Sequence, residues 1–265
     1  MMSMNLPTFG DQVRQWRLRR HLSQQALAEC AELSPRHLSF LETGRAAPSR
    51  EMVLRLAERL DVPLRERNPL LQAAGYAPMY KTRDLDAPEM QAARHAIDVI
   101  LRSHLPNPAL AFDRTYDIVS RNAAADLFLQ GVAPELLAPR ANVIRISLHP
   151  EGLAGRIVNL HQWRRHILDR MARQHAQSGD PALRALIDEV TAYPVPADAQ
   201  PDLADEHPGV LMPFLVRAGP LTLRFVSTVT VFGSPHDIVL QELAIESFFP
   251  ADDATAAALA KMTSG

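Results

Sequence analysis

The sequence predicts two domains of different class: an N-terminal all-α domain of five short helices and a C-terminal α+β domain with an antiparallel sheet and long helices. Three observations predict it. Residues 8–75 carry apolar residues in short runs at helical spacing, each run opened by Ser, Thr or Pro. LTLRFVSTVTVF, beginning at Leu221, alternates apolar and polar residues with a period of two. Charge is divided unevenly: residues 1–83 hold 13 Lys+Arg against 8 Asp+Glu, and residues 84–265 hold 15 against 22. A basic head and an acidic body follow from those counts, with domain boundaries expected at 1–75, 76–87 as connector, and 88–265.

In the head, Thr8 is placed to cap a helix with Phe9, Val13 and Trp16 on one side. Ser23 opens a second helix from Gln24 to about Cys30, whose cysteine is expected to pack in the core. Ser34 opens a third, with Pro35 at its first position, where a missing N–H costs nothing; Gly44 ends it. Ser49 caps a fourth, with Met52, Val53, Leu56, Ala57 and Leu60 inward. Pro63 opens a fifth that ends at Gly75.

In the body, residues 76–87 lack periodicity and read as a connector. A helix is expected from Pro88 to Leu105, broken by Pro-Asn-Pro. ALAFD and YDIVS read as two strands around an Arg114–Thr115 turn, and Asn122 as the cap of a helix through Leu129. Helices are expected over 155–177 and 181–192, an irregular loop over 194–209, a strand at 221–232 and a last strand at IVLQELAIESFF. The order strand, strand, helices, strand, strand specifies an α+β domain.

No apolar run is long enough to span a membrane, and the first residues lack a basic-then-apolar export signal, so the chain is expected in the cytoplasm. One cysteine, Cys30, precludes an internal disulfide framework or Cys-rich zinc site. There is no HExxH, GxSxG, GxGxxG or GxxxxGK[ST] pattern, and His161 and His166 are five apart, the wrong spacing for two ligands on one helical face. No catalytic residue, metal or cofactor is expected, and the chain is read as a non-enzyme.

Two helices joined by a turn of three or four residues can set the second in a DNA major groove. The N-terminus of the third helix, at Ser34, Arg36 and His37, offers free amides and a positive dipole end to phosphate. Arg36 has the fork of donors that reads guanine. Gln24 and Gln25 start the second helix within reach of the backbone or a base edge. Arg45 and Arg50 suit phosphate neutralisation. Phe40 faces outward beside Arg36 and His37.

The stretch Ser23-Gln24-x-x-Leu27-Ala28, Ser34-Pro35-x-x-Leu38-Ser39-x-Leu41-Glu42-x-Gly44-Arg45, Pro48-Ser49 resembles the XRE-type helix-turn-helix regulators over residues 9–72. That resemblance implies that the third helix is the recognition helix and that Arg17 pairs with Glu42. Phe40 departs from it, standing where the family often has a polar or basic residue. Tyr116-Asp-Ile-Val-Ser-Arg-Asn122-Ala-Ala-Ala resembles the strand-to-helix step of PAS-like sensors. The whole is similar to MmyB-like XRE regulators, which implies, over residues 88–249, a PAS-like domain that binds an apolar small molecule of the class of fatty acids or similar lipids.

The residues themselves offer a partial site for such an effector. Helical spacing puts Ile157, Leu160, Leu168 and Met171 on one stripe of the long helix with His161, Arg164 and His175, leaving Trp163 at its edge and His166 opposite. Cations on an apolar stripe need a partner, either an acidic headgroup or an internal carboxylate. Candidate ligand contacts are thus Asn122, His161, Arg164, Met171 and Phe225, although Asn122 also reads as a cap and Phe225 as core. The expected partners are double-stranded DNA with a palindromic operator, a small-molecule effector and a second copy of the chain, with no membrane. The alternative is a DNA-binding controller whose C-terminal domain binds a protein.

Overall fold

The structure, a computed structural model, describes residues 7–196, 212–232 and 237–263. The chain forms two compact units, whose main boundary falls between Arg83 and Asp84.

The first unit is helical. Its elements are α1 (Phe9–Arg19), α2 (Gln24–Cys30), α3 (Pro35–Glu42), α4 (Arg50–Arg59) and α5 (Leu64–Ala73). The caps fall where the side chains dictate. Thr8 and Asp11 form a reciprocal capping box, and the hydroxyls of Ser23, Ser34 and Ser49 accept from the amides of Ala26, His37 and Met52. Val13, Trp16, Leu27, Leu38, Leu41, Val53, Leu56 and Leu71 close one core. Gly10 has a specific duty in it. A Cβ there would stand 2.5 Å from the Glu42 carbonyl oxygen, so only glycine lets α1 lie this close to the end of α3. Cys30 does not join the core. Leu27, Ala28 and Ala31 are its buried neighbours; Cys30 is exposed, two residues and about 200° round the helix from Ala28.

The second unit is a five-stranded antiparallel sheet with helices. Its strands are β1 (Ala109–Phe112), β2 (Ile118–Arg121), β3 (Phe214–Ala218), β4 (Leu221–Val231) and β5 (Ala244–Pro250), in the order β2-β1-β5-β4-β3. Its helices are α6 (Gln91–Ser103), α7 (Pro134–Leu137), α8 (Val143–Leu148), α9 (Leu160–Ser178, of which 176–178 belong to the first unit), α10 (Pro181–Thr191) and α12 (Asp253–Thr263); α11 (Ile238–Glu242), between β4 and β5 in the chain, belongs to the first unit over 238–241.

Several sequence expectations change here. The 155–177 helix starts later, at Leu160. Ala154–Arg156 is a 3-10 turn and Ile157 bridges Val216 of β3, so Ile157 belongs to the sheet side. The segment after Asn122 is also 3-10 (Ala123–Phe128). IVLQELAIESFF is half helix: Asp237 accepts from the Val239 amide and turns α11 before the chain extends into β5. β3 was not expected as a strand; Gly219, at φ +59, makes the tight hairpin that pairs it with β4. Only part of β4 is covered. Leu223 and Phe225 are buried, whereas Leu221, Val229 and Val231 are exposed. Most of the expected 194–209 loop lies outside the described residues.

The core packs α9, α8 and the Ala123–Phe128 turn on the sheet. Phe128, Phe214, Phe225 and Phe248 form an aromatic cluster with ring centroids 4.9–6.3 Å apart. Trp163 lies 4.6 Å from Phe214 and donates its indole N–H to Ser147 Oγ at 2.9 Å.

Candidate functional site

The turn from α2 to α3 contains Glu32 at φ +57, a left-handed residue that redirects the chain into the Ser34 cap. What fixes α3 against its neighbours is a buried polar knot. Arg17 donates from Nε to Glu42 Oε1 at 2.7 Å and from Nη2 to Oε2 at 3.0 Å. Its Nη1 donates to the Leu22 carbonyl at 2.9 Å, and Gln24 Nε2 donates to Glu42 Oε2 at 2.7 Å. The hydrogen bond with Glu42 raises the Arg17 pKa against the opposing effect of burial. The Arg17–Glu42 pair that the XRE resemblance implies is therefore present, and Gln24 is drawn into it.

Arg36, Arg45, Arg50, Ser34 and Gln25 are exposed, while Phe40 and His37 are half-buried. The Arg36 guanidinium sits 5.3 Å from the centroid of the Phe40 ring, one helical turn away. His37 turns its Nε2 inward, where that atom is buried without a hydrogen-bond partner; this differs from the outward imidazole expected on α3.

The second unit contains an apolar cavity of about 40 Å³, room for about three waters at ~10–15 Å³ each. The unfilled space of the whole pocket, its mouth open to solvent included, is about 540 Å³. Ile118, Phe128, Ile146, Trp163, Ile167 and Phe248 are among its walls. Three charged side chains reach it: Arg121, Arg170 and Glu246.

None of the five expected ligand contacts lines it. Arg164 donates to the carbonyls of Val190, Thr191 and Tyr193 and so caps the C-terminal end of α10. Arg164 is thus satisfied by backbone carbonyls. His161 is exposed. Met171 and Phe225 are wholly buried in the core. Asn122 accepts from the amides of Ala109 and Ala125 and donates to the carbonyls of Leu101 and Asn107. The stripe was set one residue out of phase. The buried face of α9 runs through Leu160, Trp163, Ile167 and Met171, so Trp163 lies at its centre. The i, i+4, i+7 series Trp163, Ile167, Arg170 would have found the cavity wall. His166 stacks on Trp163 at 5.8 Å and is half-buried; burial first, then the charges of Arg170 and Arg173, lowers its pKa.

Residues 93–262 match the family described as MmyB-like transcription regulator ligand binding domain. The chain belongs to that family. Residues 8–70 of this MmyB-like chain match a helix-turn-helix domain, which makes it a DNA-binding transcription regulator. Among solved structures, it is similar to the restriction-modification controller protein C.AhdI from Aeromonas hydrophila. The identity is 32% over 24% of this chain and 98% of that chain, with a TM-score of 0.22. It is also similar to an RNA-binding Light-Oxygen-Voltage receptor, at 16% identity over 97% of this chain and 64% of that chain, with a TM-score of 0.25. This MmyB-like chain thus spans less than two thirds of that receptor. A search of curated proteins found no match. Among the described residues, no helix is long and apolar enough to cross a membrane.

Proposed function

We propose that this regulator binds a palindromic operator as a homodimer, and that an apolar or fatty-acid-like small molecule in the cavity sets its affinity for DNA. Residues 1–75 carry the operator-binding surface, 76–87 connect, and 88–265 hold the effector and dimerise. One module gives too small an interface for useful specificity, which is the reason to expect two. The observation that carries the reading is α3 itself: a helix held by the Arg17–Glu42 knot, with Arg36 exposed in its first turn.

In this reading Arg36 reads a guanine edge, with Phe40 beneath its guanidinium limiting its rotamers. Gln24 gives an amide N–H to Glu42, which leaves its carbonyl oxygen for DNA. Gln25, Ser34, Arg45 and Arg50 face the backbone, and His37 contributes through its outer ring edge. Selection from a random duplex library by the full chain tests this. An inverted repeat is expected, with roughly 1–3 kcal/mol of discrimination lost at one base pair per half-site in Arg36→Ala. Enrichment of no sequence, or unchanged selectivity in the variant, would sink it.

A rival is a controller whose C-terminal unit binds a protein. It rests on an open groove of about 820 Å³ flanked by exposed Leu105 and Met262. Native mass spectrometry separates the two: the effector reading expects a dimer with a small-molecule adduct, the rival a bare dimer that gains a protein partner.

A further inference from the structure

The cavity wall has a charge pattern that restricts what kind of effector it can take; this inference rests on the reading of the cavity as an effector site. Glu246, on β5, is 1% exposed. Ser227 Oγ donates to its Oε1 at 3.0 Å, and Arg170 Nη1 approaches the same oxygen at 3.5 Å. Arg170 lies on α9 with its guanidinium 5.5 Å from the centroid of the Tyr116 ring, and its Nε is buried without a hydrogen-bond partner. Both donors therefore meet one carboxylate oxygen, and a buried N–H beside the cavity is left over. The third charged wall residue, Arg121, is paired through Nε with Asp126 Oδ1 at 2.7 Å.

An ionised headgroup fits this wall poorly. A carboxylate drawn to Arg170 would compete with Glu246 and bring a second anion against a carboxylate that is already desolvated. A cation drawn to Glu246 would face Arg170 in the same way. A neutral group that both accepts and donates leaves the ion pair intact and satisfies the spare N–H. We infer that the effector carries an uncharged donor–acceptor head, such as a hydroxyl or a primary amide, on an apolar chain: Arg170 Nε donates to its oxygen, and its O–H or N–H donates to Glu246. A simple carboxylate amphiphile is disfavoured.

Calorimetric titration of the full chain at pH 8 with three chain-matched probes, octanamide, 1-octanol and octanoate, tests the assignment. Octanamide and octanol are expected to bind at least tenfold more tightly than octanoate. Glu246→Gln turns the pair into a net cation, so octanoate should gain at least tenfold relative to octanamide. Octanoate binding as tightly as the neutral probes in the natural chain would overturn the head-group assignment while leaving the cavity an effector site. An unchanged octanamide-to-octanoate ratio in a folded Glu246→Gln protein would do the same. Failure of all three probes to bind would overturn the assignment together with the effector reading beneath it. The natural-chain series decides the matter even where the variant does not fold.

Discussion

Glu42 shows how one buried carboxylate can tie together three stretches of a helical unit. Its carboxylate receives three hydrogen bonds, two from Arg17 and one from Gln24, and its side chain is 2% exposed. Removing it strands the Arg17 guanidinium, whose side chain is 8% exposed. Loss of one partner of a buried pair costs about 3–5 kcal/mol, far more than the pair's net worth. Glu42→Ala is expected to lose that much in urea unfolding of the full chain followed by far-UV circular dichroism. A loss below about 1 kcal/mol, the value of an exposed ion pair, would contradict the knot. At this scale the sequence was informative where spacing and capping chemistry set the outcome: Thr8, Ser23, Ser34 and Ser49 cap as their positions dictate. It was uninformative where the partner is distant. Nothing near Arg164 in sequence says that its guanidinium caps α10, because the carbonyls it meets are 26–29 residues away.

Among elements, α9 decides the second unit. Its buried stripe passes through Trp163 and Ile167 into Arg170, so one helix supplies both aromatic packing and the cation at the cavity. The sequence misled here because Trp, His and Arg are amphipathic and carry no clear sidedness; a helix with several of each has an ambiguous stripe. β3 and α11 were lost for another reason. Each is short, five residues, and pairing with β4 or an Asp237 turn decides its state more than local propensity does. His166 on α9 gives a test of the packing. Its folded pKa lies below the ordinary value of 6.5, chiefly from burial, then from Arg170 and Arg173, with Glu246 and Asp169 opposing. The unfolded chain therefore binds the proton more readily. Stability from the neutral imidazole is complete above about pH 6.5 and is lost as pH falls from there through the folded pKa. On acidification from about pH 7.5 to 5.5, the Tm of the natural chain should fall more than that of His166→Gln. Parallel falls would show that His166 is not held neutral by its surroundings.

For the whole molecule, the sequence held the class of both units and the presence of a helix-turn-helix, since that motif rests on local spacings that survive without tertiary information. The cavity was not legible, because its walls come from β1, β2, α8, α9, β3 and β5 and meet only in the fold. The central claim joins the two units in function: occupancy of the cavity changes affinity for DNA. Linkage requires that change to be reciprocal. The most direct measurement is the Kd of the full chain for its selected duplex, at fixed salt, with and without saturating octanamide. The account predicts a change of roughly 5–150-fold, the usual span of allosteric coupling, and an equal change in octanamide affinity when the duplex is present. Octanamide that binds while leaving the duplex Kd unchanged would contradict it.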